Sequence, residues 1–221
     1  MGLWTWWEED PQTPLPSIHS FSVFPERDQL RIAQLAQLSA ATVHQRFDQG
    51  HRCYVARVGS SSVAYGWVAE AEAEIGELQL AFTLPAGTRY LWDFATLPEW
   101  RGQGFYPRLL QAIMTAERAS RFWIAHAPEN SPSAQGIQRA GFRPVGRLSF
   151  LSDGRAALAA RDQTERSLAG AYLLDLPLAC ANHTRLNPCW RCFIARRRTL
   201  TQSPRLCGED CTCTETAFDL Q

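Results

Sequence analysis

The chain has 221 residues, with Lys+Arg and Asp+Glu both at 22. That is room for one ordinary domain plus an appendage, and the charge balance sets up no global field toward nucleic acid or anionic membrane. No apolar stretch is long enough to span a bilayer. The start, Met-Gly-Leu-Trp-Thr-Trp-Trp-Glu-Glu-Asp, lacks the cationic and long apolar segments of a secretory leader, so the cytoplasm is the expected location.

Residues 1–17 carry Trp4, Trp6 and Trp7 and then Pro11, Pro14 and Pro16. Proline at that density opposes a helix, so this segment reads as an extended arm packing its tryptophans on a domain that begins near residue 18. Phe21–Phe24 reads as a short strand. Pro25–Leu38 carries apolar residues at near-helical spacing with Pro in a permitted first turn. Ala40–Asp48 reads as a second helix ended by Gly50. Arg52–Val58 and Ser62–Ala71 read as paired strands across Gly59-Ser-Ser, followed by strands at Glu77–Leu84 and Tyr90–Thr96.

The most informative stretch follows, Pro98-Glu-Trp-Arg-Gly-Gln-Gly-Phe-Tyr-Pro-Arg-Leu-Leu110. A strand runs into Arg101-Gly102-Gln103-Gly104, and an amphipathic helix, 104–119, leaves it. Glycines let consecutive N–H groups converge, and the helix starts with unpaired amides on the positive end of its dipole, which together suit a phosphate. No Gly-Lys-Ser/Thr follows, so it is not a P-loop, and the third glycine of a dinucleotide fingerprint is missing. A strand at Phe122–Ala125 and a capped short helix from Asn130 through Ser133 to Gly141-Phe142 come next.

Arg101-x-x-Gly104 with Asn130-x-x-Ser133-x(7)-Gly141-Phe142 resembles the GNAT superfamily of acetyl-CoA-dependent N-acetyltransferases, over about residues 18 to 151. The resemblance implies an α/β fold, a mixed central sheet flanked by helices, and direct transfer of acetyl or a similar short acyl group from CoA to a primary amine. Carried over, it gives the backbone of Phe94, Ala95, Thr96 and Leu97 to the pantetheine arm. The amides of Arg101, Gly102, Gln103, Gly104, Phe105 and Tyr106 fall to the pyrophosphate, with Tyr106 standing where the family has a small residue. Asn130 and Ser133 face the cofactor arm. The tyrosine that many members place seven residues after the asparagine is Ile137 here, so the usual acid for the departing thiolate is absent.

Two residues are candidates for the proton relay, with Glu129 behind them. Asp93 sits mid-strand among apolar neighbours, where a carboxylate is costly unless partnered. Strict alternation places Tyr90 and Trp92, not Asp93, on the face of Thr96, and a β-bulge would reverse that. His126 ends the next strand with an ordinary pKa of about 6.5 suited to proton transfer.

Residues 179–221 form a cysteine-rich extension beyond the domain of residues 18–178. Cys189-Trp-Arg-Cys192 with Cys207 and Cys211 has spacing for a structural zinc, with Cys180, His183 or Cys213 as substitutes. Free or redox-active thiols and an iron–sulfur cluster remain open alternatives. Arg191 and Arg196–Arg198 are soon balanced by acidic residues, so nucleic acid is not expected. The second functional reading is a non-catalytic acyl-CoA binder whose tail recognises a partner. The identity of the amine is not legible.

Overall fold

The computed structural model describes residues 1–151, 155–160 and 162–180. In chain order the elements are β1 (Gly2–Trp7), β2 (Phe21–Glu26), α1 (Gln29–Ala36), α2 (Ala40–Asp48), β3 (Arg52–Val58), β4 (Ser61–Ala69), β5 (Glu72–Ile75), β6 (Leu80–Thr83), β7 (Thr88–Thr96), α3 (Phe105–Glu117), β8 (Arg121–His126), α4 (Ser131–Arg139), β9 (Arg143–Phe150), β10 (Ala156–Ala160), α5 (Glu165–Leu173) and β11 (Leu178–Cys180).

One nine-stranded sheet runs β11-β10-β9-β1-β8-β7-β4-β3-β2, and β5 pairs with β6 in a separate hairpin. Strands β2, β3, β4 and β7 are antiparallel neighbours, whereas β7 and β8 are parallel. A parallel pair needs a crossover, and α3 supplies it. The expected mixed sheet flanked by helices is present; the cysteine-rich extension, with Cys189, Cys192, Cys207 and Cys211, lies outside the described residues.

The first seventeen residues depart from expectation. Rather than an arm laid over the domain, Gly2–Trp7 is an internal strand, antiparallel to both β8 and β9. Leu3, Trp4 and Trp7 are buried in it, and the fully buried Thr5 donates its hydroxyl proton to the Phe122 carbonyl at 2.9 Å. Asp10 anchors the exit: it accepts from the Trp7 amide at 2.9 Å and pairs with Arg143 and Arg166 at 2.8 Å each. Burial alone would raise the Asp10 pKa, but the Trp7 amide and Arg166 overcome it and hold the carboxyl low.

The first helix also starts later than its sequence pattern. Pro25 pairs with Tyr54 in β2, an edge strand where a missing N–H is tolerated. Helix α1 then starts after Asp28, whose carboxylate accepts from the Leu30 and Arg31 amides. The single strand read over 77–84 is the second half of the β5–β6 hairpin.

Helices α3 and α4 cover one face of the sheet, where their Leu109, Leu110, Ile113 and Ile137 meet Leu91, Phe122 and Ile124 of the strands, each at most 2% exposed. The other face is covered in two patches. Helices α1 and α2 pack on Val55 and Trp67, and the hairpin with α5 packs on Leu3, Tyr90 and Trp123. Burying apolar surface at about 25 cal/mol per Å² makes these three clusters the main stabilising term.

Candidate active site

The site begins with a register shift. Tyr65 pairs with Ala95 and Trp67 with Trp92, so Asp93 and Phe94 together oppose Gly66. This is a β-bulge, and Asp93 takes the left-handed φ of +49° that carboxylate and amide side chains tolerate better than most. The bulge puts Asp93 on the same side as Tyr90 and Trp92, lining one cavity. Phe94 is sent the other way, its ring 5.7 Å from that of Tyr106.

The bulge also marks where two strands part. Pairing of β7 with β8 runs from Thr88–Arg121 to Leu91–Ile124 and goes no further. Among the described residues, the edge of β7 that faces β8 has no ladder partner from Trp92 to Thr96, while its other edge stays paired to β4. An unpaired strand edge is a template for an extended ligand.

The turn after β7 has Gly102 at φ +76° and Gly104 at φ +75°, with Gly104 as the α3 N-cap and no side chain capping it. Among the described residues no acceptor takes the amides of Gly102, Gln103, Gly104, Phe105 or Tyr106. The Arg101 amide is already spent on the Pro98 carbonyl at 3.3 Å, so five of the six expected amides remain. Pro107 costs nothing in this first turn, having no N–H to leave unmet. The Arg101 guanidinium bonds the Thr96 carbonyl at 3.2 Å. Arg108, not singled out from the sequence, brings a second guanidinium, donating to the Gly104 carbonyl at 2.7 Å and the Pro16 carbonyl at 2.9 Å.

Helix α4 starts beside this turn. Asn130 caps it by accepting from the Ser133 amide at 3.1 Å. The Ser133 hydroxyl lies 3.4 Å from that of Tyr106, joining the amino ends of α3 and α4. Tyr106 fits because residue 136 is glycine, where a Cβ would stand 2.4 Å from its ring. Burial pushes the Tyr106 phenol up. Ile137 is fully buried in the α3–α4 core.

On the opposite face lies a cavity of about 760 Å³, walled by β7, the β5–β6 hairpin and the segment after α2. Asp93 stands at its edge, its Oδ2 bonded to Arg46 Nη1 at 2.5 Å. The Arg46 guanidinium lies over Trp67 and Trp92, 4.9 and 4.4 Å from the ring centroids. His51 packs edge-on to Trp92 at 5.2 Å, and its Nε2 meets the Glu72 carbonyl at 3.2 Å. Burial lowers the His51 pKa, and nearby Arg46 lowers it further. Tyr90, Glu72, Glu74 and Glu77 also line this space. Sequence reading passed over all four, although the Glu72-Ala-Glu74-Ile alternation was a visible strand signal.

His126 stands elsewhere. It shares the face of Ile124 and Trp4, with Nδ1 2.8 Å from the Ala127 carbonyl and its ring against Gly2, where a Cβ would lie 2.5 Å from Nε2. It is not among the cavity residues, and burial lowers its pKa. Glu129 is exposed in the following loop.

A bulged strand parting from a parallel neighbour, with a glycine turn feeding a bare helix end, is the architecture of an acyl-CoA-dependent transferase. Residues 3–142 match the model of the acetyltransferase (GNAT) family, and the chain belongs to that family. No curated protein matches the chain by sequence. Similar solved structures include a GNAT-family protein from Novosphingobium aromaticivorans, 17% identical with a TM-score of 0.45, covering 65% of this chain and 59% of that one. An N-acetyltransferase from Kribbella flavida is 14% identical, with a TM-score of 0.44 and 65% and 53% covered. A Bacillus subtilis acetyltransferase in complex with CoA is 18% identical, with a TM-score of 0.44 and 59% and 80% covered. The chain thus spans less than two thirds of the first two.

Among the described residues no group of three or more His, Cys, Asp or Glu could hold a metal ion, and no helix is long and apolar enough to cross a membrane.

Proposed function

We propose that this protein transfers an acetyl group from acetyl-CoA directly to a primary amine seated in the cavity beside Asp93. The observation that carries the reading is the parting of β7 and β8. The same gap has five free amides and two guanidiniums on one side and an acceptor-sized cavity on the other.

The residues present fit a diphosphate bearing an extended arm. Gly102 through Tyr106 offer five N–H groups to the phosphates, and Arg101 and Arg108 add positive charge. Phe94 through Thr96 offer an unpaired edge to the pantetheine amides, with Asn130 and Ser133 opposite; Leu97, expected to join them, already gives its amide to the Val63 carbonyl and its carbonyl to the Trp100 amide. Acetyl-CoA, when bound, supplies the activated acyl group as a thioester.

The chain's own contribution is to position the amine and accept its proton, since only the free amine is nucleophilic. Asp93 is assigned both tasks. Arg46 holds Oδ2 and fixes the carboxylate, and no hydrogen bond among the described residues takes Oδ1. His126, neutral and across the sheet, is left as a packing residue that a water chain would have to reach. No side chain is assigned to protonate the departing thiolate: Ile137 has no proton to give, and a thiol pKa of about 8.5 makes that tolerable.

Amine-dependent release of CoA from acetyl-CoA tests the proposal. Uptake of acetyl-CoA with no thiol release across a broad amine panel would instead mean a non-catalytic acyl-CoA binder. That reading is weaker, because such a protein has no need of an acceptor-side cavity. The zinc reading of Cys189, Cys192, Cys207 and Cys211 has its own test, elemental analysis of the purified full chain. One zinc per chain supports it, and none removes it.

A further inference from the structure

We propose that the cavity beside Asp93 selects an acceptor bearing at least two ammonium groups, a small polyamine or an aminosugar. This deepens the acetyl-transfer reading and rests on it for the identity of the reacting amine.

Among the described residues, every Asp, Glu, Lys or Arg lining the cavity is acidic: Glu72, Glu74, Glu77 and Asp93. The chain as a whole is balanced at 22 against 22, so this excess is local. A concave acidic wall concentrates cations. The three glutamates also differ from the structural acids of this fold. Asp10 is clamped by Arg143 and Arg166, and Glu117 by Arg52 and Arg89. Glu72, Glu74 and Glu77 have no side-chain ion pair or hydrogen bond among the described residues. Glu77 acts on the Met1 amine, which also lines the cavity and whose pKa burial lowers to about 5.

A second observation is independent of charge. Tyr90 is 4% exposed and lines the cavity, and its hydroxyl has no hydrogen-bond partner among the described residues. The hydroxyl is not sealed away from the cavity, so a ligand seated there can meet it. The Glu77 carboxylate acts on that hydroxyl, adding to burial in pushing the Tyr90 pKa up, so the two groups face common space. His51, 8% exposed, leaves Nδ1 buried and unpaired on the same wall. A monoamine held at Asp93 leaves Glu77 and Tyr90 unmatched. A second ammonium satisfies both, one by charge and the other by donating to the phenol oxygen.

The test is calorimetric titration of the full chain with spermidine, kanamycin and hexylamine, followed by CoA-release kinetics on the same three. Spermidine or kanamycin is expected to bind at least about tenfold more tightly than hexylamine at low salt, with the gap closing as salt screens the wall. Whichever of the two binds better separates a linear polyamine from an aminosugar. Glu77→Gln, Glu74→Gln and Tyr90→Phe are each expected to weaken polycation binding about three- to tenfold, with KM rising more than kcat falls. Equal binding of hexylamine, or polycation affinities indifferent to Glu77→Gln and Glu74→Gln, overturns the inference. Near-ultraviolet circular dichroism checks that these isosteric variants are folded. Transfer to monoamines with no polycation preference sinks this inference alone. Polycation binding without transfer to any amine sinks the acetyl-transfer reading and leaves the ligand class of the cavity standing.

Discussion

Gly66 and Phe94 are mutually dependent: a Cβ on residue 66 would lie 2.0 Å from the Phe94 ring. The bulge aims Phe94 toward the α3 side, and only a residue without a side chain opposite leaves the ring room. Gly66→Ala is therefore expected to cost about 1–3 kcal/mol through overpacking, read as a lowered urea midpoint. Because the displaced ring also abuts Tyr106, KM for acetyl-CoA should rise in the same variant. An unchanged KM would mean that the bulge and the phosphate turn are not coupled.

The two turn glycines should separate strain from sterics. Gly102 has open space where a Cβ would go, so Gly102→Ala should show only the left-handed penalty of about 1–2 kcal/mol. At Gly104 a Cβ would also stand 2.6 Å from Arg108 Nη1. Gly104→Val should disturb both that guanidinium and the free amides. Each charge-assisted hydrogen bond lost is worth about 1.5–3 kcal/mol, roughly ten- to hundredfold in affinity. Titration with acetyl-CoA checks this, and a Gly104→Val protein binding as tightly as the parent would remove the turn from the site.

Asp93 can be tested without breaking its backbone. Asparagine also accepts a left-handed φ, so Asp93→Asn removes the charge and keeps the bulge. Arg46 retains its two tryptophan faces, and stability should change little. The rate of acetyl transfer should fall about a hundredfold if the carboxylate accepts the proton. Asp93→Ala should lose the same activity plus about 1 kcal/mol of stability from backbone strain. Full activity in Asp93→Asn would refute the assignment.

Acid should destabilise the fold in two windows. His51 and His126 have pKa values lowered below the ordinary 6.5, chiefly by burial. Above 6.5 both states hold the neutral ring. As pH falls below it the unfolded chain takes up protons first, so stability is lost on the way down to the depressed folded values. Burial alone would raise the Glu117 pKa, but hydrogen bonds from Arg52, Arg89 and Tyr54 outweigh it and hold the carboxyl below the ordinary 4.5. Its contribution is complete above 4.5 and lost as pH falls through the folded value. Urea unfolding from about pH 7.5 to 3 should show both slopes, with His51→Gln reducing the upper and Glu117→Gln the lower. A flat profile between 6.5 and 5 would contradict the upper window.

What the sequence disclosed was mostly local. Gly102, Gly104 and the Asn130 cap are signals in which a few consecutive residues dictate backbone geometry, and all three take the geometry they signal. Asp93 was legible only conditionally, since its facing depended on a bulge that Gly66, twenty-seven positions earlier, makes possible. The cavity was not legible, because β5–β6, β7 and the segment after α2 meet only through tertiary packing. The facing of His126 was hidden for the same reason: it turns to the side of the sheet away from the cavity, against Gly2 of β1. The internal place of β1 was itself hidden, since an apolar run of three tryptophans does not say which strands it joins.

That strand gives the molecule an awkward order of assembly. Thr5 reaches a carbonyl 117 residues downstream, so β1 is synthesised well before the two strands it must join. Long-range closure of this kind is slow. Until it happens, β8 and β9 each present a naked border to other molecules. Fusions or trims at the amino end would therefore act on yield and aggregation before they act on turnover, and a short synthetic peptide matching residues 1–10 is a natural candidate to rescue a trimmed chain by docking into the slot.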